Sequence, residues 1–148
     1  MYFFENPLPF LRKKFMLKLV IFDCDGVMFD SREANRAYYN KILQQFSCPP
    51  MNEEEVGYVH IHNVFDSIQY IFRQHTQMSM EQVKQYRQQL DYAPFLQHMI
   101  MAPDLKEFLK TISPKYHRAI STNRTNTMDM VLDLFSLRTY FEIVMTAT

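Results

Sequence analysis

Leu19-Val20-Ile21-Phe22-Asp23-Cys24-Asp25-Gly26-Val27 is the stretch that decides how the chain is read. Four consecutive apolar residues predict a buried strand of a parallel sheet. The strand runs directly into two carboxylates spaced i and i+2, with a glycine behind them. Side chains at i and i+2 of extended chain point the same way, so Asp23 and Asp25 are expected to converge beyond the strand's C-terminal end. Open α/β sheets bind their ligands at that end. Gly26 lets the backbone turn there without a Cβ penalty. Two acids held together are costly unless a cation or a proton separates their charges. Asp and Gly also favour plain turns, but the apolar strand in front favours a functional site.

Residues 22–31, FDCDGVMFDS, closely resemble the first motif of the haloacid dehalogenase superfamily in its phosphatase and phosphotransferase branch. Phosphoglycolate phosphatases and β-phosphoglucomutases carry similar strings. Dehalogenases and phosphonate hydrolases of the superfamily lack the second acid, so Asp25 argues for phosphate ester chemistry. The resemblance implies that Asp23 is the nucleophile, attacking phosphorus to form an aspartyl phosphate. It implies that Asp25 protonates the leaving oxygen and then takes a proton from water. It also implies Mg²⁺ as cofactor, bridging the Asp23 carboxylate, the Asp25 main-chain carbonyl and the phosphate. The chemistry is consistent: a carboxylate can act as a covalent nucleophile, and Mg²⁺ prefers oxygen ligands.

Composition narrows the classes. At 148 residues the chain reads as one domain, or one domain with an insertion. Sixteen basic residues balance sixteen acidic ones, which removes the electrostatic argument for nucleic acid or an anionic membrane as partner. No apolar run approaches the length of a membrane span. Only Gly26 and Gly57 occur, so neither a P-loop nor a dinucleotide fingerprint can be written. Cys24 and Cys48 give no disulfide framework, and the expected setting is reduced and cytoplasmic.

Residues 1–15 read as an N-terminal extension: Pro7 and Pro9 break regular structure, and Met16 is a natural opening for the domain. Asp30 with Glu33 has capping-box spacing, ahead of Ala34, Ala37, Tyr38, Ile42 and Phe46 at helical intervals. Asn52 with Glu55 repeats the signal before Val56 and Val59. Phe65, Ile68, Ile71 and Phe72 form another stripe. Ser79 with Gln82 precedes Val83, Tyr86 and Leu90. Residues 31–100 are thus expected to be helical, with no strand among them. A helical block at this point resembles the cap that many such phosphatases insert; its stripes are packing faces rather than a cofactor box. His60 and His62 show no ligand pattern and read as surface or satisfied residues.

Pro103 is expected in the first turn of a helix carrying Leu105, Phe108, Leu109 and Ile112. The family usually has a proline–glycine pair here, and the glycine is missing. Residues 117–122 read as a second core strand. The superfamily's second motif is a Ser or Thr at this tip, often followed by Asn, so the resemblance implies that Thr122 and Asn123 bind phosphate. Ser121 takes that role if the register slips by one, and an ordinary helix N-cap before Met128 accounts for the same residues. Residues 141–145 look like a third strand.

The expected fold is therefore α/β, an incomplete parallel-sheet core of Rossmann type, residues 16–30 and 101–148, with an α-helical cap at 31–100. The family pattern continues past Thr148, to a lysine after the third strand and an acid beyond a fourth; Lys110 and Lys115 lie outside that context. The sequence accordingly reads as the front part of a Mg²⁺-dependent phosphatase acting on a small phosphorylated metabolite. A sugar-phosphate mutase and a non-catalytic fragment are the competing readings. The 148-residue polypeptide alone is expected to be nearly inactive and to self-associate through an open sheet edge at residues 19–22.

Overall fold

Residues 16–125 and 127–147 are described by the structure, a computed structural model. The N-terminal extension, residues 1–15, lies outside the described residues. β1 (Leu19–Phe22) and a two-residue strand β2 (Phe29–Asp30) lead into four helices: α1 (Arg32–Gln45), α2 (Glu53–Ile61), α3 (Val64–Ile71) and α4 (Met80–Gln89). A 3₁₀ segment, Ala93–His98, leads to β3 (Ile100–Met101), then α5 (Leu105–Ile112), β4 (His117–Ser121), α6 (Met128–Leu134) and β5 (Ile143–Met145). No helix of the described residues is long and apolar enough to cross a membrane.

β1, β4 and β5 form one parallel sheet in the order β1-β4-β5. β1 meets β4 in the register Leu19↔His117 through Phe22↔Ile120. β2 and β3 form a separate antiparallel pair, Phe29↔Met101 and Asp30↔Ile100. Ile100 in that ladder corrects the expectation of no strand within residues 31–100. Two residues a side carry no period-2 signal, so nothing in the sequence marks it. It clamps the two chain segments that enter and leave the helical block.

Two apolar cores follow from this layout. Phe22, Phe29, Leu105, Leu109, Ile120, Val131 and Leu132 pack together under the sheet. Tyr38, Ile42, Val56, Val59, Ile68, Ile71 and Val83 make the core of the helical block. Tyr92 packs against both, with its ring 5.0 Å from that of Tyr38. β1 is not the buried strand expected: among the described residues its second face is uncovered, with Leu19 and Ile21 40 and 53% exposed and Ile143 of β5 55%. β1 is an edge strand of the described sheet.

Local signals were met unevenly. The Asn52–Glu55 capping box is made in both directions, at 2.9 and 3.1 Å. At α1 the N-cap is Ser31 rather than Asp30, because Asp30 belongs to β2; its carboxylate accepts the Arg32 N–H instead. Ser79 is the N-cap of α4 but makes no side-chain capping bond. Pro103 precedes α5 rather than opening it. Phe65 and Phe108, expected on packing faces, are exposed. The second strand ends at Ser121 and the third begins at Ile143, leaving Thr122 beyond one strand and Phe141 to fill the core.

The two glycines make opposite demands. Gly26 has φ +76° in the turn after β1, and an added Cβ would meet nothing within 4 Å. The cost of a side chain there is backbone strain alone, about 1–2 kcal/mol. Gly57 lies inside α2 in open space, where Ala gains roughly 0.5–1 kcal/mol in helix propensity. Denaturant titration should therefore show Gly26→Ala destabilising and Gly57→Ala stabilising; the same sign for both would contradict this backbone. Cys24 is fully buried, and burial, reinforced by the charge of Asp25, pushes its thiol up to about 12. Cys48 is only half-buried. Thiol titration at pH 8 should label Cys48 in the native protein and Cys24 only after unfolding. Two fast-reacting thiols would show that the strand tip is open.

Candidate active site at two strand tips

β1 stops at Phe22, and the next four residues fold back on themselves. The Gly26 N–H reaches the Phe29 carbonyl at 2.8 Å, while Met28 and Phe29 both donate to the Cys24 carbonyl. This tight turn holds Asp23 and Asp25 just past the sheet's C-terminal end. The parallel register sets residues 121–124, which follow β4, beside them. Both acids and the Thr122–Asn123 pair are thus placed at neighbouring strand tips.

Their environments differ. Asp23 is exposed, and its Oδ1 accepts the Cys24 N–H at 2.6 Å. Asp25 faces a cleft of about 770 Å³, shared on the sheet side with Asn123 and Arg124 and on the helical side with Asn35, Tyr38, His60, Arg87 and Tyr92. Thr122 is buried, and its Oγ1 accepts the Arg124 N–H at 3.2 Å. Asn123 is exposed on the cleft wall. Ser121 remains in β4, so the residue that reaches past the tip is Thr122. The helix that follows takes Thr127 as its N-cap, not Thr122. Asp25, Thr122 and Asn123 are therefore gathered around Arg124 and the cleft, while Asp23 stands outside the cleft lining.

Arg124 is the group that sequence reasoning missed. Its guanidinium grips Asp25 with both arms, Nη2 to Oδ1 at 2.6 Å and Nε to Oδ2 at 2.8 Å. Its side chain is 8% exposed, against 39% for Asp25. Nη1 also donates to Thr127 Oγ1, and the guanidinium lies 5.5 Å from the centre of the Tyr92 ring. Burial works against the Arg124 charge, but the hydrogen bonds and charge of Asp25 outweigh it and hold its pKa above the usual arginine value. Burial likewise pushes the Tyr92 hydroxyl up to about 12, with Arg124 pulling against it. That hydroxyl donates to Asn35 Oδ1 on α1 at 2.8 Å. The sequence shows only a cation immediately after Thr122-Asn123; that it meets Asp25 is set by the β1–β4 register.

The histidines divide. His62 stacks on Tyr58 at 3.7 Å and pairs its Nδ1 with the Tyr58 carbonyl. His60 is not satisfied as expected, because its enclosed Nδ1 has no hydrogen-bond partner among the described residues. For a metal, the available donors at the tip are the Asp23 carboxylate and the Asp25 main-chain carbonyl. Both are hard oxygens of the kind a small divalent cation takes together with water and a substrate phosphate. They fit such an ion in kind, although no group of three or more His, Cys, Asp or Glu gathers among the described residues.

Comparison with known proteins agrees with this layout. A hydrolase of the haloacid dehalogenase superfamily, subfamily IA, from Geobacter sulfurreducens is 39% identical, with a TM-score of 0.75 over 88% of this chain and 63% of its own. A predicted phosphoglycolate phosphatase from Haemophilus somnus is 20% identical, with a TM-score of 0.73 over 89% of this chain and 63% of its own. A Thermotoga maritima protein inferred to be a β-phosphoglucomutase is 19% identical, with a TM-score of 0.67 over 88% and 61%. The last two likenesses speak to the fold alone. No curated protein matches the chain. The chain spans a little over three fifths of the length of these structures. The family model for haloacid dehalogenase-like hydrolases matches residues 20–148, and the chain belongs to that family.

Proposed function

We propose that this chain carries the nucleophile and acid–base half of a Mg²⁺-dependent phosphatase acting on a small phosphate monoester. The observation that carries this reading is the shared position of Asp23, Asp25 and Thr122 beyond the ends of two neighbouring parallel strands. A site so placed sits where open α/β sheets bind ligands. Asp23 is exposed and therefore accessible to a phosphoryl group. In the proposed reaction an Asp23 carboxylate oxygen forms a bond to phosphorus as the ester P–O bond breaks. Asp25 delivers a proton to the departing oxygen. Water then attacks the aspartyl phosphate, giving its proton to Asp25 and releasing phosphate.

Thr122 donates its hydroxyl hydrogen to a phosphoryl oxygen, and the Arg124 N–H on its Oγ1 orients that donation. Asp23 and the Asp25 carbonyl would hold the Mg²⁺, whose charge offsets the repulsion between a carboxylate nucleophile and a phosphate dianion. The two cysteines are free, which supports a reduced, cytoplasmic setting for the enzyme.

The test is made on a family-length protein that contains these residues. Asp23→Asn should abolish the phosphoenzyme, since an amide is a poor nucleophile. Asp25→Asn should leave Mg²⁺ affinity nearly unchanged, because the main-chain carbonyl is the ligand, and slow turnover about 10²–10⁴-fold. Turnover of an aryl phosphate within a factor of two of the unaltered protein, for either variant, would assign these roles elsewhere.

A further inference from the structure

The arrangement at Asp25 poses a problem that the reaction above does not solve. Both of its carboxylate oxygens are engaged by one guanidinium, at 2.6 and 2.8 Å. Held that way, each oxygen has one lone-pair site committed to the guanidinium, which must be shared or given up when Asp25 takes a second partner in the cleft. Arg124 is also poorly explained as a plain structural ion pair. Its side chain is nine-tenths buried, yet its partner is more than a third exposed and lines the cleft. Arg124 lines the same cleft, and the fork that Asp25 now occupies has a geometry that matches two oxygens of a phosphate as well as those of a carboxylate.

We propose that Arg124 is a phosphate-binding residue held on Asp25, and that an incoming phosphoryl group draws the guanidinium away, so that Asp25 takes up a proton from solvent and then gives it to the leaving oxygen. This rests on the phosphatase reading of the site. The exchange is balanced in kind: one bidentate oxyanion partner replaces another, and the newcomer carries more charge. The neighbours suit a guanidinium that shifts rather than leaves. Thr127 Oγ1 and the Tyr92 ring contact it on other sides and can hold it through the change. Tyr92 in turn reaches Asn35 on α1 and packs against both cores. A shift of Arg124 is therefore transmitted to the helical block that forms the far wall of the cleft.

The proposal separates Arg124 from a structural role by the sign of two effects. Inorganic phosphate binding to the 148-residue polypeptide is measured by calorimetry for the unaltered protein, Arg124→Gln, Asp25→Asn and the double variant. Arg124→Gln should weaken phosphate roughly 10- to 100-fold, the range expected for losing charge-assisted hydrogen bonds. Asp25→Asn should tighten it roughly 10-fold, because the competing carboxylate is gone. The double variant should bind as weakly as Arg124→Gln. Tightening by Asp25→Asn that persists without Arg124 would mean that only a negative charge had been removed, and would overturn the proposal. Phosphate binding unchanged in all four would overturn it as well. Should Arg124→Gln fail to fold, Arg124→Lys keeps the charge without the fork, and an affinity equal to the unaltered protein's would count against the proposal. Labelling of Asp23 from an aryl phosphate, followed in a family-length protein with Mg²⁺, is a separate readout: a flat binding cycle with Asp23 still labelled removes the Arg124 proposal alone, and an intact cycle with Asp23 unlabelled removes the phosphatase reading alone.

Discussion

Parallel pairing of β1 with β4 is the constraint on which the rest depends. Antiparallel strands would send their C-terminal ends in opposite directions. The observed register instead carries Asp23 and Asp25 to the same end of the sheet as Thr122, Asn123 and Arg124, about a hundred residues later. A parallel connection of this kind needs a long crossover. Here the crossover contains the whole helical block, closed at its base by the short β2–β3 ladder and by Tyr92 between the two cores. The wall of the cleft opposite the strand tips is thus a consequence of the connection itself.

Charge at the tip is arranged within that frame. A pair of carboxylates two residues apart would repel if both faced the same low-dielectric space. The structure separates them: Asp23 looks to solvent and takes a main-chain N–H, whereas Asp25 takes the buried guanidinium. One acid is left accessible and the other is held by a cation. The two residue types are alike, and their surroundings alone make them different.

What could be read in the sequence followed the range of the interaction responsible. β1, the turn at Gly26 and the Asn52–Glu55 cap are set by residues within a few positions of one another, and each was legible. The stripe at Val56 and Val59 was legible for the same reason. Asp30 misled because its capping spacing competes with strand pairing to a partner 70 residues away. Phe65 and Phe108 misled because periodicity gives a helix face but not whether anything covers it. Arg124 went unread since its meaning comes from Asp25, 99 residues earlier, and only the β1–β4 register brings them together. His60 is a further case: i, i+2 spacing with His62 correctly gave no shared ligand, yet it said nothing of the enclosed Nδ1.

The central claim is that Asp23 receives the phosphoryl group while Arg124 and Thr122 hold it at the paired strand tips. The most direct measurement is a crystal structure of the protein grown with Mg²⁺ and beryllium fluoride, which forms a stable mimic of an aspartyl phosphate. The expected result is a fluoroberyllate on the Asp23 carboxylate, with Thr122 Oγ1 and the Arg124 guanidinium on its fluorines and Asp25 released. An adduct on Asp25, or an unmodified Asp23 with the Arg124–Asp25 fork intact at saturating reagent, would contradict it.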